Sequence, residues 1–473
     1  MNPSAVPLCV DLDGTLVATD TLHENLLCLV RHSPRSLLAV PGWLRQGKAA
    51  FKQNVAGSAR IDAASLPFRQ DLVAWLKEQR GSGRRLVLAT AADRSIAGDV
   101  ATHLDLFDEV IASDGTRNLS GANKRQALVE RFGDKGFDYV GNDTPDEQVW
   151  QCARQAIVVG SNGLVERARK VAAVDRVFPV SRPSLRTWIK AARLHQWVKN
   201  ALVLVPPLLA HAILQPGVLV HALLAFLGFG LCASSVYIVN DLLDLGSDRQ
   251  HPRKRHRPFA SGALSARSGL VAAALLLAGA IAVAATLNQY FLATQATYYV
   301  VTWAYSLRLK QVAMLDVMTL SALYTLRIVA GAAATDVALS FWLLTFSMFI
   351  FLSLGIVKRY TELEAARQAG KTKSHGRGYT PADLPLLMSL GTSSGYCAVV
   401  VLALYINSTD SAQLYAHHQP LWLMCPLMLF WISRIWTLTA RDQMHDDPIV
   451  FALRDRTSLL ILGLLGLIVL ISL

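Results

Sequence analysis

The sequence predicts a two-part chain: a soluble α/β domain built on a parallel sheet with a small helical cap, then an all-α polytopic membrane domain of about nine transmembrane helices. Three observations predict it. The first is composition: of 473 residues, 52% are hydrophobic and 17% charged, against about a quarter charged in soluble domains. With a mean hydropathy of +0.34, this excludes a disordered chain and argues against a purely soluble enzyme. The second is charge: residues 1–180 hold 22 Lys/Arg and 21 Asp/Glu, whereas residues 181–473 hold 24 and 13, so the basic excess lies in the second part. The third is run length, because apolar runs are strand-sized before residue 180 and of membrane-spanning length after it.

Residues 1–180 form the first predicted domain. Val6–Val10, Arg85–Ala89, Glu109–Ala112, Asp138–Val140 and Ala156–Val159 are short apolar runs separated by helical patterns, as in buried parallel strands. Residues 20–80 are long enough for a helical cap. The first fifteen residues lack the pattern of a secretory signal, so this domain is expected in the cytoplasm. The six cysteines show no metal-type spacing and are expected as free, buried thiols. Residues 181–197, SRPSLRTWIKAARLHQW, interleave Trp188 and Trp197 with Arg186, Lys190 and Arg193, the pattern of an interfacial helix on an anionic leaflet; a plain linker is the other reading.

The third predicted segment, 198–473, carries apolar stretches near 198–213, 218–240, 268–287, 289–306, 314–333, 338–357, 385–406, 420–437 and 457–473. Loops around 211–217, 286–290, 333–338 and 407–419 contain no Lys or Arg, while those around 241–267, 306–313, 358–384 and 434–456 hold nearly all of them. Short basic loops stay on the cytoplasmic side. The alternation predicts a multi-pass inner-membrane protein whose N-terminal domain and basic loops are cytoplasmic.

Two motifs carry chemistry. In Asp11-Leu12-Asp13-Gly14-Thr15, after the first strand, one of the two carboxylates can attack phosphorus and the other can serve as general acid/base. Thr90 can bond a phosphoryl oxygen and Lys124 can neutralise it. Gly141-Asn142-Asp143-Thr144-Pro145-Asp146 offers carboxylates suited to Mg²⁺, so Asp11, Asp13, Asp143 and Asp146 are the candidate metal ligands. This ordered set resembles the haloacid dehalogenase (HAD) superfamily of phosphatases. The resemblance implies Asp11 as nucleophile, Asp13 as acid/base, Thr90 and Lys124 on the phosphate, and Mg²⁺ on Asp11 and the last cluster. That family often has Gly-Asp where this chain has Gly141-Asn142, which leaves Asp143 and Asp146 as alternatives for the metal.

The second motif, NDLLDLGSD, closes the predicted second span. Asp241, Asp244 and Asp248 fall at i, i+3 and i+7, one face of a helix, where mutual repulsion invites a cation; Mg²⁺ carrying a diphosphate fits. Asn240 is a candidate ligand for metal and substrate, and Lys254 and Arg257 in the following HPRKRHRP run are candidate anion donors. NDxxDxxxD followed by HPxKxxRPxASG resembles the UbiA-type intramembrane prenyltransferases. RLHQWVKN (193–200), YSLRLK (305–310), LRIVAG (326–331), GIVKRYTEL (355–363) and HDDPIVFALRDR (445–456) look like their polyprenyl-phosphate phosphoribosyltransferase branch. This implies 5-phosphoribosyl 1-diphosphate as donor and a polyprenyl phosphate, such as decaprenyl phosphate, as acceptor.

Aromatic prenyltransferases of the family usually carry a second DxxxD. Here Asp316 is followed four residues later by Leu320, and Lys310 and Arg327 stand nearby in the sequence. Lys199, Tyr305, Lys310, Asp316, Arg327, Lys358 and Arg359 complete the candidate substrate-binding set. Arg327 lies deep in a predicted span, where a charge is costly and usually faces a polar cavity; a buried ion pair, with Asp316 as a candidate partner, is its other reading. Mg²⁺ is expected in both domains and no nucleic-acid partner is expected. Three further readings stay open: an aromatic prenyltransferase using a prenyl diphosphate, a transporter, and a silent N-terminal binding module.

Overall fold

The computed structural model describes residues 6–370, 377–444 and 447–473. His445 and Asp446 of the 445–456 motif, and residues 371–376 of the basic 358–384 loop, lie outside the described residues. The chain divides into two compact units: Met1–Ala192 with Tyr237–Ala273, and Arg193–Val236 with Ala274–Leu473.

The first unit is built on a six-stranded parallel sheet in the order β3-β2-β1-β4-β5-β6. Its strands are β1 Leu8–Val10, β2 Leu86–Asp93, β3 Glu109–Ser113, β4 Asp138–Gly141, β5 Gln155–Gly160 and β6 Ala173–Pro179. In β1, Leu8, Cys9 and Val10 are fully buried, because helices cover both faces of a parallel sheet. The strand order reverses between β1 and β4, which pair Val10 with Val140. Ligands of open α/β sheets bind beyond the strand ends at such a switch, and both acidic motifs of this domain emerge there. Two expectations are corrected. Strand β2 does not end with the run Arg85–Ala89 but continues to Asp93, past a register shift against β3. The sixth strand, β6, lacked an apolar run because it is a largely exposed edge carrying Asp175 and Arg176, the charged protection that edges need.

Between β1 and β2, the helices Thr21–His32, Val40–Arg45, Lys48–Ser58 and Gln70–Gly81 fill the length expected for the cap. A buried charge cluster pins the sheet's entry edge. Asp138, with its side chain wholly buried, is ion-paired to Arg84, and it accepts from Arg154 Nη2 at 2.6 Å and Nε at 2.9 Å. Removing one partner of a buried pair leaves an uncompensated charge. We therefore expect Asp138→Ala to destabilise the domain by about 3–5 kcal/mol, read as a lower melting transition of the full chain in detergent.

In the membrane part, six helices are long and apolar enough to cross a bilayer among the described residues: Pro216–Leu243, Ala266–Ala285, Leu315–Thr335, Phe341–Gln368, Pro381–Ile406 and Pro420–Ala440. These six do not confirm the expected count of nine. The stretch at 289–306 is a helix, Gln289–Leu307, diluted by Gln, Thr and Tyr, and Arg456–Ser472 has 17 residues. The stretch at 198–213 is no single helix but a 3₁₀ segment, Leu194–Leu204, and a short turn of helix, Val205–Leu209. Pro206 and Pro207 supply no amide hydrogens there. This segment packs tightly on its neighbour: a Cβ on Gly331 would lie 2.0 Å from the Val203 carbonyl oxygen. The 181–197 stretch forms a helix only over Leu185–Ala191, broken by Arg193 at φ 51°, and it exposes Leu185 and Ile189. All six cysteines are free; Cys397 is exposed and Cys28 half-buried, while the other four are buried.

Candidate active sites

The first site sits at the β1/β4 switch. Gly14 turns the chain at φ +73°, and a Cβ there would meet Asn142 Nδ2 at 2.2 Å, so only glycine lets the two strand-end loops touch. Thr15 Oγ1 donates to Asn142 Oδ1 at 2.9 Å. Lys124 Nζ donates to Asp11 Oδ1 at 2.7 Å and to the Tyr139 hydroxyl at 2.8 Å, and that hydroxyl donates to Asp146 Oδ1. Asp146 Oδ2 accepts from the N–H groups of Asn142 and Asp143. Asp146 is thus buried and committed to orienting the loop. Asp143 is exposed and caps its own turn through Thr144 N–H. Thr90 is fully buried beside this edge and its Oγ1 accepts from Ala92 N–H.

Burial pushes the Asp11 carboxyl up to about 6 against the pull of Lys124, with Asp146 adding to the rise. Burial, then repulsion from Asp20, pushes Asp13 up to about 7, the value a general acid needs near neutrality. Asp13 Oδ1 accepts from Thr21 N–H at 2.8 Å, which ties it to the start of the Thr21–His32 helix.

Sequence reasoning missed three residues of this site. Asn25 is 1% exposed and neither polar atom of its side chain has a hydrogen-bond partner. It lines a cavity of about 50 Å³ with Asp13, Asp20 and Lys52. Lys52 Nζ donates to Ala91 O and to Asn118 Oδ1, and burial draws its pKa below the usual lysine value. No motif signals these cap residues.

The second site is the NDLLDLGSD segment, also in the first unit. The long helix ends at Leu243, and Asp244 occupies the N-cap position of the next helix, Leu245–Gln250, without a side-chain capping bond. The three acids therefore do not share one uniform face. Asp241 and Asp248 converge on Arg257 Nη1, at 3.1 and 2.6 Å, whereas Asp244 Oδ1 accepts from Arg31 Nη1 at 2.5 Å. Burial raises the pKa of Asp248 against the pull of Arg257. Asn240 is half-buried at the helix end and Lys254 is exposed. Among the described residues no group of three or more His, Cys, Asp or Glu is gathered to hold a metal. Two carboxylates nevertheless reach one cationic nitrogen, so a positive charge is seated between hard oxygen donors, as Mg²⁺ requires.

In the second unit, Lys199 and Lys358 share Asp447, at 2.6 and 3.1 Å. Asp447 lies within the 445–456 motif, whose local pattern does not signal this pairing. Burial would raise its pKa, yet Lys358 and Lys199 hold it well below the usual carboxylate range. Arg327 Nε donates to Asn200 Oδ1 at 3.0 Å and Nη2 to the Tyr298 hydroxyl. Its guanidinium lies 4.8 Å from the Tyr298 ring and 5.5 Å from that of Tyr324, and Lys199 Nζ lies 5.8 Å from the same Tyr324 ring. Asn200 is 1% exposed with Nδ2 unpartnered, a donor the sequence did not single out. Asp316 is held by Arg359 Nε at 2.5 Å, Arg377 Nη1 at 3.1 Å and the Tyr305 hydroxyl at 2.8 Å. The fully buried Arg359 thus makes the ion pair with Asp316 that was considered for Arg327. Lys310 lies half-buried in the Leu309–Gln311 turn.

These features define a polytopic helical membrane protein with an acidic, arginine-countered motif, joined to a parallel-sheet domain. The profile of the UbiA prenyltransferase family matches residues 203–465, more than half of the chain, and the chain belongs to that family. An uncharacterized protein, y4nM, of Sinorhizobium fredii is 39% identical over 96% of this chain and 88% of its own length. The decaprenyl-phosphate phosphoribosyltransferase of Mycolicibacterium smegmatis is 35% identical over 47% of this chain and 71% of its own. A solved UbiA homologue from Archaeoglobus fulgidus, bound to GPP and Mg²⁺, is 18% identical over 60% of this chain and 99% of its own, with a TM-score of 0.48.

Proposed function

We propose that the chain transfers 5-phosphoribose from 5-phosphoribosyl 1-diphosphate to a polyprenyl phosphate and releases diphosphate, and that its N-terminal domain then removes the 5-phosphate. The observation that carries the transfer is the convergence of Asp241 and Asp248 on a single cationic nitrogen. The named relative from Mycolicibacterium supports the choice of donor and acceptor. Asp241, Asp248 and Asp244 would hold Mg²⁺, which when bound stabilises the departing diphosphate as a Lewis acid. The C1–O bond breaks with its electrons leaving on the diphosphate, and an anionic oxygen of the lipid phosphate forms the new bond to C1. No base is required, since the nucleophile is already ionised. We assign Lys199, Lys358, Lys310 and Arg327 to phosphate binding and Asn200 to a supporting donor.

In the N-terminal domain, Asp11 attacks phosphorus while Asp13 gives its proton to the departing ribose oxygen. Asp13 then takes a proton from the water that hydrolyses the phosphoaspartate, and inorganic phosphate leaves. Lys124 neutralises the phosphate, and Asn25 and Lys52 face the sugar. Fusion would raise the effective concentration of the lipid intermediate at its next site. We assign the active sites to the cytoplasmic face of the inner membrane, in keeping with the basic loops.

The test supplies the purified chain with Mg²⁺, labelled phosphoribosyl diphosphate and one defined polyprenyl phosphate. Label in the lipid phase as lipid-linked ribose, with diphosphate and phosphate released, is the expected result. Label confined to water overturns the transfer, and prenylation of 4-hydroxybenzoate from a prenyl diphosphate would establish the aromatic alternative.

A further inference from the structure

The third carboxylate of the acidic motif is held by a residue from more than two hundred positions away, on the cap helix Thr21–His32. Arg31 Nη1 donates to Asp244 Oδ1 at 2.5 Å and to Leu243 O at 2.8 Å. Seven residues earlier, and so on the same helical face, Glu24 takes both guanidinium nitrogens of Arg249 at 2.6 and 2.7 Å. This second pair is almost wholly buried, at 6% and 4% side-chain exposure, and Arg249 also donates to Ala260 O. The buried fork anchors the helix on the segment that carries Asp244 and Asp248. Arg31, at 32% side-chain exposure, is the half-open member of the arrangement.

We propose that Arg31 is a diphosphate-binding residue of the acidic site, lent to it by the cap helix. This rests on the transferase reading of that site. Three carboxylates in one segment repel one another, and here two arginines, Arg257 and Arg31, offset them. A cation taken up by these carboxylates releases the arginines from that task and brings an anionic ligand beside them. A guanidinium meets phosphate oxygens with a planar fork of donors, and Arg31 keeps access to solvent while its helix stays fixed through Glu24. The N-terminal domain then has a part in the transfer itself, which explains why it is fused to the motif and not only placed downstream of it.

Calorimetric titration of the full chain with inorganic diphosphate at saturating Mg²⁺ tests this. Arg31→Ala is expected to weaken diphosphate binding about tenfold or more, as loss of a charge-assisted hydrogen bond does. Its melting midpoint should stay within about 2 °C of wild type, since a half-exposed pair contributes little to stability. Unchanged or tighter binding overturns the inference, and so does weaker binding accompanied by a collapsed melting transition, which would make Arg31 a docking residue only. If the wild type itself binds no diphosphate with Mg²⁺, the transferase reading falls first and takes this inference with it.

Discussion

If the proposed transfer is correct, Asp241→Asn and Asp248→Asn are each expected to reduce transfer of labelled phosphoribose into the lipid phase by about a thousandfold. The two carboxylates are the pair that converges on Arg257, at 3.1 and 2.6 Å, and their side chains are 4% and 3% exposed. A metal bound there supplies several kcal/mol of leaving-group stabilisation, and each 1.36 kcal/mol is a decade in rate. The amide keeps the shape of the side chain and can still accept a hydrogen bond from Arg257, so the loss falls on chemistry and not on folding. The measurement is initial-rate incorporation of label into extracted lipid at saturating Mg²⁺. Undiminished incorporation in both variants would remove the acidic segment from the reaction.

Asp11→Asn has the opposite signature. Transfer is expected to continue while the lipid product stays heavier by one phosphate, because Asp11 is the proposed nucleophile beside Lys124 and Asp146, 3.6 Å from the same Nζ, is held by Tyr139 and two backbone N–H groups. Removal of the 5-phosphate is expected to fall by at least about a thousandfold. Mass spectrometry of the lipid extract separates the two products directly. The continued transfer reports that the membrane part is intact, and a melting profile reports on the first domain. If wild type and variant yield the same mixture of phosphorylated and dephosphorylated lipid, the domain acts on something else.

The three variants separate the two acidic motifs that the sequence presents. Short buried runs followed by Gly, Asp and Thr mark β1 and β4, because a parallel strand buried on both faces must be apolar along its length, whereas the strand order that makes a switch between them is set by the fold. The edge strand β6 escaped notice for the same reason, since one face and one edge of it meet water. Length and hydropathy located the long helices, but hydropathy alone does not distinguish a span from the 194–209 segment. Pro206 and Pro207 and the close approach of Val203 to Gly331 shape that segment.

What the sequence by itself determined is whatever repeats or clusters within a few residues: the buried strands, the long apolar helices, and the DLDGT and NDLLDLGSD motifs. What only the tertiary structure decided is which charges meet. Arg31 with Asp244 and Lys199 with Asp447 join positions 213 and 248 residues apart, and Asn25 faces Asp13 across a cavity that no local pattern encodes. Local periodicity reports how a segment meets solvent or its own neighbours. A pairing between distant segments exists only once burial has made leaving either partner alone costly.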